Sequence, residues 1–368
     1  MNCLSRCLNK FEEVFIDVYD REPKGEKMKK LSTQTFLSVI IVLFIFAFQQ
    51  RNLIAQEYVN PVSNITNIGD PFVLNHNGTY YMYCTSNSNK GFYYWTSKDL
   101  VNWEKQGLAL SNTTPGVFGT NRFWAPEVVN YKGKFYMTYS AGDSSGVMKL
   151  CLAVSDSPEG PFKSYQSPWY EHKLSHIDAT IFIDGKMVYA YFVRDCSTNI
   201  INGRHISQIF VVQLSDDLKT FITEPKLVIT PDQGWEDINK TSLWNEGPFV
   251  LKHEDTYYIT YSANGYNTNE YCVGYATADN PLGPWKKAAE NPILKANLDI
   301  GVSGPGHNSF AYSPDGTELF MIYHAHTFPD KPSGNRSVYI DRIHFIGGKM
   351  VVEGPTKTPQ PYPSNKAK

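Results

Sequence analysis

The chain has 368 residues with 34 Lys and Arg against 36 Asp and Glu, a near-neutral balance with neither a basic stripe for nucleic acid nor an acidic tail. That length accommodates one large domain or two ordinary ones. An aromatic share of 14% beside 26 Gly and 22 Pro fits many short strands joined by turns. It also suits sugar binding, although packing between sheets must account for most of the tyrosines.

In chain order, the first feature is an export signal with a segment in front of it. Lys29 and Lys30 form a basic start, Phe36 to Phe48 an apolar stretch, and Ala55 a small residue suited to cleavage. The apolar stretch is shorter than the roughly 20 residues needed to span a bilayer, so export is expected rather than stable membrane insertion. The pattern begins at Met28, and the acidic FEEVFIDVYDRE ahead of it does not belong to a signal peptide. Residues 1–27 are therefore read as a mis-annotated leader, 28–56 as the signal peptide, 58–355 as the folded domain and 356–368 as a tail. Cys3 and Cys7 fall in the leader, while Cys84, Cys151, Cys196 and Cys272 are scattered without CxxC spacing. Zinc ligation is not indicated, and Cys84, Cys151 and Cys272, in or beside strand-like runs, read as buried free thiols.

From Tyr58 onward the chain repeats itself. Five segments set an acid or a His ahead of a tyrosine-rich strand: NIGDPFV (Asp70), FWAPEVV (Glu127), SHIDATIF (Asp178), WNEGPFV (Glu246) and GPGHNSF (His307). The runs that follow begin at Thr79, Lys134, Lys186, Thr256 and Glu318, and four of the five are preceded by a turn pair such as Asn77-Gly78. A second marker keeps time with the first. The aromatics Trp103, Phe162, Phe221, Trp285 and Phe345, each after a further strand and turn, stand 59 to 64 residues apart. Each unit holds about four strands of period-two alternation, and no long stretch has helical periodicity. The expected fold is an all-β, five-bladed β-propeller in a single domain. A β-sandwich would not explain one polar residue per repeat.

In a propeller the innermost strands line a central channel, so Asp70, Glu127, Asp178, Glu246 and His307 are expected to ring one end of it. Gathering carboxylates is electrostatically unfavourable and should raise at least one pKa, which points to function rather than packing. For Glu127 and His307, a cation site or a solvated channel is an equally good reading.

The ordered set GDPF, WAPEV, HIDATIF, NEGPF and GPGHNSF resembles glycoside hydrolase family 43, whose members are five-bladed propellers, over essentially the whole mature chain. The resemblance implies an inverting glycosidase. Asp70 would be the general base, Glu246 the general acid, and Asp178 the residue that orients that acid and raises its pKa. Such a reaction needs a protonated carboxylic acid at the leaving oxygen and a carboxylate activating water on the opposite face, roughly 6.5–9.5 Å away, a gap that different blades can supply. Trp124 is a candidate platform beneath a sugar ring, with a core tryptophan the other reading, and Phe123 is a weaker candidate. Glu127 and His307 are further candidate substrate contacts. Arg336 matches a substrate-contacting position of the family, and as an isolated residue it could equally be a surface charge. No cofactor is required by the resemblance, which leaves open a calcium ion in the channel held by His307 through water; one His without a carboxylate cage is a poor calcium site.

The expected substrate is a plant-type oligo- or polysaccharide, and the expected product a terminal pentose. α-L-Arabinofuranosidase is placed slightly ahead of β-D-xylosidase, and NINGRHIS and DQGWEDINKTSLW within residues 193–255 are expected to wall off the pocket and favour exo-action on terminal residues. Endo-arabinanase is the runner-up, and a non-catalytic carbohydrate-binding propeller is the alternative of a different class. The mature protein is expected to be a monomer outside the cytoplasm, periplasmic or extracellular.

Overall fold

The computed structural model describes residues 56–142, 145–238 and 241–365. The leader and signal segment lie outside the described residues. Residues 56–365 form five four-stranded antiparallel sheets, each running in chain order from the first strand to the fourth. Blade 1 comprises Gly69–His76, Thr79–Thr85, Gly91–Ser97 and Glu104–Ser111. The first strands of the other blades are Asn121–Tyr131, His176–Asp184, Asn245–His253 and Gly306–Tyr312. Each touches the first strands on either side, and the fifth returns to the first, which closes the ring of a five-bladed propeller.

The turn pairs seen in the sequence close the innermost hairpins. Asn77 and Gly78 both adopt positive φ between the paired His76 and Thr79, as do Lys132 and Gly133 between Tyr131 and Lys134. That geometry matches the natural twist of a two-residue hairpin. The alternating aromatic runs are explained by what lies between blades. Five hydrophobic clusters fill the seams between adjacent blades, including the seam between blades 5 and 1. A fully buried large side chain contributes about 1.5–3 kcal/mol, so adjacent blades are held mainly by these faces. Trp103, Phe162 and Trp285 stand directly before the outermost strands of their blades, which explains the near-constant spacing.

Two features depart from the expected plan. The segment read as a tail is part of the body: Gln360 and Pro361 pair with Glu57 and Tyr58, while Asn60 exchanges bonds with both backbone groups of Ile340 at 2.9 and 3.0 Å. Both ends of this unit are thereby fastened to blade 5. Blade 3 also carries an excursion, in which Ile200–Ile201, Arg204–Ile206 and Ser242–Leu243 form a small sheet of their own. Cys84, Cys151, Cys196 and Cys272 are buried free thiols.

Candidate active site

Every first strand is broken by a β-bulge at the same place. The register shifts fall between Gly69 and Phe72, Trp124 and Glu127, Ile177 and Thr180, Glu246 and Phe249, and Gly306 and Ser309. Within each shift one residue has positive φ: Asp70, Ala125, Asp178, Gly247 and His307. Such a backbone is unfavourable for a residue with a side chain, and it persists where surrounding contacts hold it.

Here the holding contact comes from the preceding blade. The Asp70 amide donates to His324 Nδ1 at 3.1 Å, Ala125 to Thr85 Oγ1 at 2.9 Å, Asp178 to Ser140 Oγ at 3.0 Å, and His307 to Ser262 Oγ at 2.7 Å. Those four acceptors occupy equivalent places on the second strands, opposite the residue before the bulge. Blade 3 has Val193 there, opposite Ile177, and a valine cannot accept. The Gly247 amide goes instead to Asp178 Oδ2 at 3.1 Å. Asp178 is thereby fixed against the backbone next to Glu246.

The bulges refine the expectation of one polar residue at a matched point. Asp70, Asp178 and His307 do stand at equivalent positions, but Glu246 precedes its bulge by one residue and Glu127 follows its own by two. Asp70, Asp178, Glu246 and His307 converge on one cavity of about 320 Å³, and Trp124 and Arg336 also line it. Glu127 is outside that lining. It lies two residues along the strand, hydrogen-bonded to Thr180, and burial followed by the charge of Asp178 pushes its carboxyl up to about 8. Phe123 is a correction. It is fully buried and stacks on Tyr139 between blades 1 and 2, with ring centroids 5.9 Å apart; alternation along the strand turns it away from its neighbour Trp124.

Asp70 sits in a cationic nest. Arg336 Nη1 lies 3.0 Å from Oδ1, His307 Nδ1 lies 3.3 Å from the same oxygen, and the Thr85 hydroxyl donates to Oδ2 at 2.6 Å. Burial alone would raise this carboxyl, but Arg336 first, then His307 and the Thr85 hydroxyl, hold it well below the usual carboxylate range. Arg336 is thus no surface charge: it is 7% exposed. Its guanidinium occupies the space where a Cβ on Gly69 would stand, which accounts for the glycine ahead of Asp70. His324, the last residue of the ELFMIYH run, is fully buried. Its burial and Arg336 drive its pKa far down, so it is neutral, with Nδ1 free to accept from the Asp70 amide.

Glu246 has the opposite surroundings. It is buried, and its Oε1 accepts a 2.8 Å hydrogen bond from Tyr271. Its carboxyl is pushed up to about 8, by burial first and then by the charges of Asp195 and Asp70, against the stabilising effects of Tyr271 and Arg336. Asp178 is pushed up to about 7 by burial, partly offset by His307, with Glu246 adding to the rise. Glu246 and Asp178 repel each other as a coupled pair, so ionisation of one disfavours ionisation of the other. One cavity therefore holds an ionised carboxylate and a carboxyl that stays protonated near neutral pH.

As for a metal, His307 turns Nδ1 toward Asp70. The equivalent places two residues past the bulges hold Phe72, Glu127, Thr180, Phe249 and Ser309, and the Phe72 and Phe249 rings lie 6.1 Å apart. Among the described residues no group of three or more His, Cys, Asp and Glu is arranged to hold a metal ion. A single carboxyl in a ring that otherwise holds two phenylalanines, a threonine and a serine does not fit a calcium cage.

Sequence reading missed Thr85, Tyr271, His324, Asp195 and Tyr266, whereas Trp244 closes the DQGWEDINKTSLW segment expected to wall the pocket. Only His324 had a signal, as a polar residue closing an otherwise apolar run.

The sequence profile of the family described as "Glycosyl hydrolases family 43" matches residues 58–350. A β-D-galactofuranosidase from Aspergillus niger is 29% identical over 75% of this chain and 79% of its own length. An extracellular exo-α-(1→5)-L-arabinofuranosidase from Streptomyces avermitilis is 28% identical over 61% of this chain, and the match spans 48% of that enzyme. Among solved structures, a thermostable family-43 glycoside hydrolase superposes with a TM-score of 0.83 at 55% identity, covering 84% of this chain and all of that one.

Proposed function

This chain belongs to glycosyl hydrolase family 43 and is a glycoside hydrolase, and from that premise we propose an inverting, exo-acting enzyme that releases terminal pentosyl residues, with α-L-arabinofuranosides ahead of β-D-xylosides. The observation that carries the reading is the opposite ionisation of two carboxyls facing one cavity. Asp70, kept anionic by Arg336, is the general base that takes a proton from the attacking water. Glu246, kept protonated by burial and neighbouring charge, is the general acid that delivers a proton to the departing glycosidic oxygen. Asp178, bonded to the amide of Gly247, orients Glu246 and favours its protonated state. The two principal groups come from blades 1 and 4, on separate strands, as a reaction that places a sugar and a water between them requires.

Exo-action is supported by the lining of the cavity. Residues from all five blades surround it, and Trp244 and Tyr266 add to its wall, a shape suited to the end of a chain rather than its middle. The furanosidase names of the two curated relatives favour a five-membered ring. Export is supported by the N-terminal signal pattern and by the extracellular description of the Streptomyces relative. Among the described residues no helix is long and apolar enough to cross a membrane.

The test is hydrolysis of aryl α-L-arabinofuranoside and aryl β-D-xylopyranoside by protein beginning at Tyr58, with Glu246→Gln beside it. Cleavage of the arabinofuranoside that disappears in the variant is the expected result. Turnover retained in Glu246→Gln would overturn the site. Cleavage of arabinan with neither aryl glycoside touched would move the reading to an endo-enzyme.

A further inference from the structure

Four carboxyls line the cavity, and the acid–base reading uses only Asp70, Asp178 and Glu246. The fourth is Asp195, at the foot of the blade 3 excursion. Its position is built rather than incidental. The Asp195 amide donates to Ser175 O at 2.9 Å, and its carbonyl accepts from the amides of Thr198 and Asn199 at 3.3 and 3.1 Å. The next amide, of Cys196, donates to Ser207 Oγ at 2.9 Å. The carboxylate is oriented through one oxygen only: Ser197 donates both its amide and its hydroxyl to Oδ2. Apart from the weakly donating thiol of Cys196, no other donor among the described residues is hydrogen-bonded to this side chain.

The remaining acids are already committed. Asp70 is held by Arg336, His307 and Thr85 and reserves its remaining acceptor capacity for the attacking water, and Asp178 holds the Gly247 amide. A sugar entering the cavity is a neutral polyol whose hydroxyls need acceptors, and a preorganised carboxylate oxygen is a strong one. We propose that Asp195 is a substrate-binding residue whose free carboxylate oxygen accepts a hydroxyl of the sugar seated in the cavity. Its closeness to the reacting bond is supported by its charge, which is foremost among the charges acting on Glu246. The proposal rests on the glycosidase reading.

The experiment is a cycle between protein and substrate. Wild type, Asp195→Asn and Asp195→Ala are assayed on whichever aryl glycoside wild type cleaves and on its monodeoxy counterparts, each lacking one ring or exocyclic hydroxyl. A hydrogen bond to a charged group predicts a loss in kcat/KM of roughly 10- to 100-fold for Asp195→Ala on the parent sugar. On the one deoxy sugar that lacks the accepted hydroxyl, the same substitution should change kcat/KM by less than about 3-fold, because the contact is already gone. Asp195→Asn preserves the shape of the turn and reports the same coupling if the alanine variant folds poorly. An unchanged kcat/KM on the parent sugar would overturn the proposal, as would an equal loss on every deoxy sugar. Retained turnover in Glu246→Gln would instead overturn the underlying reading, so the two failures are distinguishable.

Discussion

Asp70 and Glu246 line the same cavity, and burial pushes both toward the neutral form, yet they end on opposite sides of neutrality. The difference lies in their neighbours. Asp70 has a guanidinium at 3.0 Å and a hydroxyl at 2.6 Å, whereas Glu246 has one tyrosine hydroxyl and is opposed by other acids. Depth sets how far a carboxyl can move, and the sign and distance of nearby charge set the direction. Acid–base division in this site is therefore a property of what blades 5 and 3 bring to the mouth, as much as of the two carboxyls themselves.

The comparison can be broken outright. Asp70→Asn and Glu246→Gln each remove one side of it, and kcat should fall by roughly 10²–10⁴-fold with the fold retained, as measured on the preferred aryl glycoside alongside thermal unfolding. Replacing Arg336 with Met attacks the contrast indirectly. With its main counter-charge gone, Asp70 is left to burial, its pKa rises, and the acidic limb of kcat/KM should move upward. The loss should then be larger at pH 5 than at pH 7; an acidic limb that stays in place would show that Arg336 does not hold Asp70 ionised.

Two smaller effects sharpen the picture. Because the carboxyl of Glu246 is pushed up to about 8 and must be protonated to act, activity should decline as pH rises through about 8. Tyr271 stabilises the ionised form, so Tyr271→Phe should shift that alkaline limb further upward, read from the pH profile of kcat/KM. Least affected should be Glu127→Gln. Glu127 lies outside the cavity lining and is itself pushed up to about 8, so the substitution removes little charge at pH 6, and kcat should change there by less than about 3-fold.

Much of this site could be read from residue order, and the reason is repetition. Asp70, Asp178 and Glu246 were found because tyrosine-rich runs and spaced aromatics mark the blades, and the first strand of a blade has only one place in a propeller. What repetition hid was phase. A bulge inserts one residue into the ladder, so GDPF, WAPEV and NEGPF look alike as strings while their acids stand at, after and before the bulge. Phe123 was misassigned for a related reason: beside Trp124 on a strand, it necessarily faces the other way. Tyr271 and Asp195 gave no signal because both come from loops whose path depends on contacts far along the chain.

The sequence by itself determined the blade count, the hairpins, the family and the three central carboxyls, because alternation, turn chemistry and repeat spacing are local properties that survive without coordinates. Only the tertiary structure decided how those carboxyls are ionised and which other groups reach them. Arg336 meets Asp70 across 266 residues of chain, and Asp178 holds the Gly247 amide because Val193 cannot accept it. Charge–charge energies depend on distance and burial in three dimensions, and neither can be read from order along the chain.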